Sequence, residues 1–184
     1  EVLGTLRGLA AKVGQMASYV DGVVPEGKRD AFEAALGRLR DAAPSSAPEA
    51  VRVRVEEELG APLEALFAEW SPTPLASASI GQVHAARLPD GTEVVVKVQH
   101  PGIEAAVEQD LRNAGVMTGL QSTLFGAKWG FDEAMDEVAR LFREELDYGL
   151  EAERQRRFAA LHARDPRLHV PAVVEARTSR RVLT

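Results

Sequence analysis

The stretch Pro74–Gln99, PLASASIGQVHAARLPDGTEVVVKVQ, decides how the chain is read. It runs from a loop of small residues into a strand, then a tight turn, then a second strand carrying a lysine. Gln82 to Arg87 and Thr92 to Gln99 have strand character, and Pro89-Asp90-Gly91 between them is turn chemistry. Val94, Val95 and Val96 are consecutive, which predicts a strand buried on both faces. A lysine among such residues is costly unless its ammonium is paired, faces a cleft or snorkels to water. The loop before the first strand has the layout of a phosphate-cradling loop, with alanine and serine where glycine would give the backbone its freedom. The stretch is a nucleotide site, an altered one or an ordinary hairpin.

Outward from the hairpin, the pattern is helical. Leu3, Leu6, Leu9, Val13, Met16 and Val20 mark a first helix, and Phe32, Leu36 and Leu39 a second. Ser46 followed by Glu49 has capping-box spacing and predicts the start of a helix carrying Val51, Val55 and Leu59, which ends at Gly60. A short helical turn is expected over Leu63–Phe67. Beyond the hairpin, Pro101-Gly102 breaks the strand and helical periodicity runs from about Ile103 to Leu124. Asp132 then reads as the N-cap of one long helix reaching Leu161, and two short strands are expected near His169–Val174 and Arg180–Leu183. Segregated helices and strands predict an α+β fold with an antiparallel sheet.

Composition narrows the function. The 184 residues carry a formal net charge of −6, which argues against nucleic acid as a partner. There is no cysteine, so disulfides and thiolate metal sites are excluded. His84, His100, His162 and His169 lack the spacing for a shared metal, and no metal ligands are assigned. Leu120 to Leu124 reads as core packing rather than a membrane-facing patch. Lys97 needs an acid, and the long helix offers Glu144, Glu145, Asp147 and Glu151. Residues four apart share a helix face and residues two apart do not. Asp147 and Glu151 can therefore face a cleft together, whereas Glu145 either reaches the first helix, around Lys12 and Gln15, on another side or joins them through a helix distortion near Gly149.

Four motifs in order resemble the UbiB/AarF family of atypical kinases. Lys12-Val13-Gly14-Gln15 matches its KxGQ signature. Ala76, Ser77, Ala78, Ser79, Ile80, Gly81, Gln82 and Val83 are similar to its alanine-rich loop. Val94-Val95-Val96-Lys97 is similar to the Val-Ala-Ile-Lys strand. Glu145-Leu146-Asp147-Tyr148, followed by Glu151-Ala152, is similar to the ExD motif and the glutamate that pairs with the strand lysine. Ser77 stands where alanine is common, and Arg154 where asparagine often follows.

The resemblance implies a protein-kinase-like small lobe over 74–184, with an inserted helix at about 103–125, preceded by a family-specific helical extension over 1–73. It implies ATP or ADP as ligand, Lys97 on the phosphates and paired with Glu151, and the 76–83 loop over the phosphates. Lys12, Gln15, Glu145 and Asp147 would act together where a protein substrate would otherwise dock. Magnesium ligands would come from a larger lobe that these residues do not contain, so the chain reads as a fragment, inactive by itself. The implied setting is cytoplasmic, with peripheral membrane contact and a lipid or quinone-biosynthesis partner. A non-catalytic nucleotide- or lipid-binding regulatory module is the alternative.

Overall fold

The computed structural model describes residues 45–109, 111, 112 and 131–184. The KxGQ helix, the helix around Phe32 and the Leu120–Leu124 patch lie outside the described residues. Two compact units are present. One comprises Ser45–Ser77, Gly81–Pro101 and Arg143–Thr184; the other includes Ala78–Ile80 and Gly102–Phe142. In the second unit, residues 103–109, 111 and 112 are helical and bury Val107 and Leu111.

The first unit opens with helix α1, Pro48–Leu59. Its N-cap is Ala47, and no side chain caps it. The capping-box reading of Ser46 is thus corrected: Pro48 starts the helix, where a missing N–H costs nothing, and Ser46 is engaged elsewhere. Its N–H donates to Gln82 Oε1 at 2.7 Å, and its hydroxyl pairs with His100 Nδ1 at 2.8 Å. Gly60 ends α1 in the left-handed conformation (φ 71°), its N–H bonded to the Glu56 carbonyl. The Glu56 carboxylate then accepts from Leu63 N–H at the start of α2, Leu63–Leu66.

Five strands form one antiparallel sheet. β1 is Glu69–Trp70, β2 Ala76–Ser77, β3 Gly81–Arg87, β4 Glu93–Gln99 and β5 Val182–Leu183. β3 and β4 are the hairpin, in register from Gly81 opposite Gln99 to Arg87 opposite Glu93. Gly91 (φ 89°) makes the turn, and Asp90 Oδ1 accepts from Thr92 N–H. β1 and β2 pair with the two ends of β3, and β5 pairs with β4.

One face of the sheet is packed. Val96, Val98 and Val182 are buried with Val51 and Val55 of α1, Leu63 and Leu66 of α2, and Phe67 just beyond it. The other face is open: Val95 is 56% exposed. The valine run is therefore not buried on both faces. α1 and α2 supply apolar cover on one side only, and the reverse face lines a cleft.

The long helix is two helices. α3 is Phe131–Glu145 and α4 is Tyr148–Leu161. Asp132 lies inside α3 rather than capping it. Residues 169–174 form no strand; a 3₁₀ turn at Glu175–Arg177 leads to β5 instead. Pro171, lacking an N–H, suits a coil there better than a ladder.

Candidate functional site

The cleft on the open face has a volume of about 1050 Å³, and Val83, Ala85, Val95 and Leu183 are among its apolar walls. Lys97 and Glu151 stand in it. Period-two alternation puts Val95, Lys97 and Gln99 on this face of β4. The Lys97 ammonium donates to both oxygens of Glu151, at 2.6 and 2.8 Å. The two side chains are 34% and 44% exposed. A pair so wetted stabilises by no more than about 1 kcal/mol, which points away from a purely structural purpose.

The helix break places Glu151. A continuous helix through Leu146 and Asp147 would need no outside partners, but here several are supplied. Gln99, two residues beyond Lys97, donates through Nε2 to the Leu146 carbonyl at 2.9 Å and the Arg180 carbonyl at 3.3 Å. Tyr148 N–H donates to the Arg180 carbonyl at 2.8 Å. Asp147 takes extended backbone (φ −123°, ψ 92°), and its carboxylate accepts from the N–H groups of Gly149 and Leu150. One strand thus fixes both ends of the geometry: Lys97 holds the glutamate and Gln99 holds the start of its helix.

Asp147 consequently does not share a helical face with Glu151. It is the N-cap of α4, with Arg180 Nε 3.8 Å from its Oδ2. The distortion allowed for near Gly149 occurs two residues earlier. Glu145 ends α3 with an exposed side chain. Glu144 pairs with Arg154, the residue that departs from the family pattern. Lys12 and Gln15 lie outside the described residues.

The 76–83 loop divides. Ala76 pairs with Val83, which reaches the cleft, and Ser77 with Gln82. Ala78, Ser79 and Ile80 belong to the other compact unit. Gly81 is buried at the start of β3, where a Cβ would sit 2.5 Å from the Val98 carbonyl oxygen and 2.6 Å from the Tyr148 hydroxyl. Glycine is required there for close approach, not for an unusual φ.

On the packed face, a buried polar chain runs from Ser46 through Gln82 to His84 and Ser71. His84 Nδ1 lies 2.8 Å from the Ser71 carbonyl and Nε2 2.8 Å from Gln82 Nε2. Only Nδ1–H can donate to a carbonyl, so Nε2 accepts from Gln82, whose Oε1 is left for Ser46. Burial pushes His84 below its ordinary pKa, outweighing the Ser71 bond, so the ring is neutral. Trp70 stacks on it at 4.8 Å. Gln99 and His84 were not singled out as functional from sequence; polar residues at strand positions otherwise filled by valine and alanine were the available signal.

Residues 38–184 match the model of the ABC1 atypical kinase-like domain. The chain belongs to that family. The resemblance carried by the four motifs is borne out, and the α+β, kinase-like fold with it. Among curated relatives, the chain is 34% identical to the mitochondrial atypical kinase COQ8 of Saccharomyces cerevisiae, over 97% of this chain and 35% of that protein. It is 37% identical to the probable protein kinase UbiB of Marinobacter nauticus, over 88% of this chain and 29% of the relative. Among solved structures, Rv3197 of Mycobacterium tuberculosis, solved in complex with erythromycin, aligns with a TM-score of 0.67 at 38% identity, over 99% of this chain and 45% of that one. The chain thus spans about a third of the length of these curated relatives. Among the described residues, no helix is long and apolar enough to cross a membrane.

Proposed function

We propose that this chain is the nucleotide-binding part of an ATP-dependent atypical kinase or ATPase. The carrying observation is the Lys97–Glu151 pair standing in an open cleft with apolar walls. Phosphoryl transfer needs a cation positioned on the phosphates, held by an acid that fixes its direction. Lys97 supplies the charge, Glu151 directs it, and Val83, Ala85, Val95 and Leu183 offer a surface suited to a nucleobase. The alanine-rich stretch from Ala76 to Val83 is assigned to covering the phosphates. Among the described residues no group of acids or histidines could hold a metal ion, so no step is assigned to magnesium here.

The same proposal gives Lys12 and Gln15, with Glu145 and Asp147, the task of screening out protein acceptors. It places the protein in quinone or isoprenoid-lipid metabolism, peripheral to a membrane. Residues 1–184 alone are expected to bind nucleotide weakly and to turn over none.

The test is ATP titration by calorimetry of the full-length gene product, wild type and Lys97→Met, with thermal melts alongside. The variant should bind ATP at least tenfold more weakly. Because the pair is half-exposed, the melting temperature should move by no more than about 4 °C, the equivalent of about 1 kcal/mol. Unchanged ATP affinity in Lys97→Met would overturn the assignment.

A further inference from the structure

Tyr148 has no part in the pairing just described, yet it is fully buried beneath it. Its ring lies under Lys97, with the ammonium 4.5 Å from the ring centroid. That is well inside the range of about 6 Å at which a cation is attracted by an aromatic face. Its hydroxyl is buried without a hydrogen-bond partner among the described residues, which is unfavourable for a polar group. It occupies the space that a side chain at residue 81 would fill. Burial and then the charges of Glu151 and Glu145 push the phenol well above its ordinary pKa, so it stays neutral.

A phenylalanine would fill the same volume without an orphaned hydroxyl. The ring is therefore the part with evident work, and two features help to place it. Its own N–H is tied to the Arg180 carbonyl at 2.8 Å, and Gly81 leaves room for its far end. The ammonium of Lys97 is thus held by Glu151 on one side and by the aromatic face on another. A lysine has four rotatable carbons, and one carboxylate leaves much of that freedom in place. A second, non-charged surface narrows it without neutralising further charge.

We infer that Tyr148 is a positioning residue, its ring setting the direction in which the Lys97 ammonium is presented to the phosphates of a bound nucleotide. This inference rests on the reading of Lys97 as the nucleotide-binding lysine. Tyr148 is the residue after the acids of the ExD motif, so the helix break serves a second purpose. It brings the ring of the first α4 residue against Lys97 of β4 while the fourth residue, Glu151, reaches the same ammonium.

The experiment is a double-mutant comparison in the full-length gene product, read by ATP titration and thermal melts. Tyr148→Leu removes the aromatic face and should weaken ATP binding about threefold to fivefold, within the range for a solvent-accessible cation over a ring. Tyr148→Phe keeps the face, drops the orphaned hydroxyl and should restore the affinity, with a melting temperature equal to or above wild type. In a Lys97→Met background, leucine and phenylalanine at 148 should bind ATP equally. A structural role alone would give the leucine variant the same affinity loss in both backgrounds, and that result overturns the inference. So does a leucine variant that binds like wild type. If Lys97→Met itself leaves ATP affinity unchanged, the failure lies with the nucleotide reading beneath it.

Discussion

Gly81→Ala offers a test of the close approach at the heart of the site, because its sign is decided by packing. Gly81 is not in the left-handed region, the positive-φ glycines among the described residues being Gly60, Gly91 and Gly102. Alanine there is free of backbone strain. Without a clash it would stabilise by about 0.4–1 kcal/mol, through the entropy it removes from the unfolded chain. The structure dictates the opposite. The new Cβ would meet the Val98 carbonyl oxygen at 2.5 Å, the Tyr148 hydroxyl at 2.6 Å and Gln99 Cα at 3.2 Å. Two of these are backbone of the paired strand and the third is the end of a rigid ring, so none can swing aside cheaply. Overpacking of this kind costs about 3 kcal/mol, which lowers the melting temperature of a chain of this size by about 6–12 °C. Combining it with Tyr148→Phe relieves the hydroxyl contact but not the carbonyl, so recovery should be partial. The assay is differential scanning calorimetry of the single and double variants. A Gly81→Ala protein that melts at or above wild type would refute the described approach of β3, β4 and α4.

Gln99→Leu should strip the helix break of its donor to the Leu146 and Arg180 carbonyls, at a cost of about 1–3 kcal/mol. Faster amide exchange around residues 147–151 and weaker ATP binding should accompany the lower melt, and unaltered exchange would count against the pinning role. His84 gives a pH dependence. Its folded pKa lies below the ordinary 6.5, so the unfolded chain binds more protons and stability falls as pH drops below 6.5. The melting temperature should decline between pH 7.5 and 5.5, and in His84→Phe that limb should flatten; an unchanged slope would sink the assignment.

Local signals carried much of the fold. The Pro89-Asp90-Gly91 turn, the end of α1 at Gly60 and the hairpin strands were legible because their causes are adjacent in sequence. Lys97 announced its need of an acid by standing among valines, and Glu151 by its motif. What escaped reading depends on distant partners. The break at Asp147 is specified by Gln99 and by the Arg180 carbonyl, neither of which changes the helical period of residues 131–161. Ser46 carried a capping signal that a following proline and a partner 36 residues away overruled. β1 and β2, two residues each, are too short for any alternation to register. The apparent double burial of Val94–Val96 failed because composition cannot say which face receives cover.

The ties between the two ends of the first unit bear on how it is made. Ser179 Oγ and Arg181 Nη1 both donate to Glu58, at 2.8 and 2.6 Å, across 121 and 123 residues. Arg177 Nε reaches the Leu66 carbonyl across 111. Val182, buried completely, completes the core that α1 begins. At roughly 5–20 residues per second, the ribosome needs about 6–25 s to travel from Glu58 to Arg181. Throughout that interval Val51 and Val55 lack part of their cover, and from the synthesis of Gln99 onward β4 has an unpaired edge where β5 will lie. The nascent chain therefore presents an apolar helix face and an open strand together, the combination that holdase chaperones bind. A ribosome stalled within those codons should hold this unit in a protease-sensitive state, and release of the last strand should close it at once.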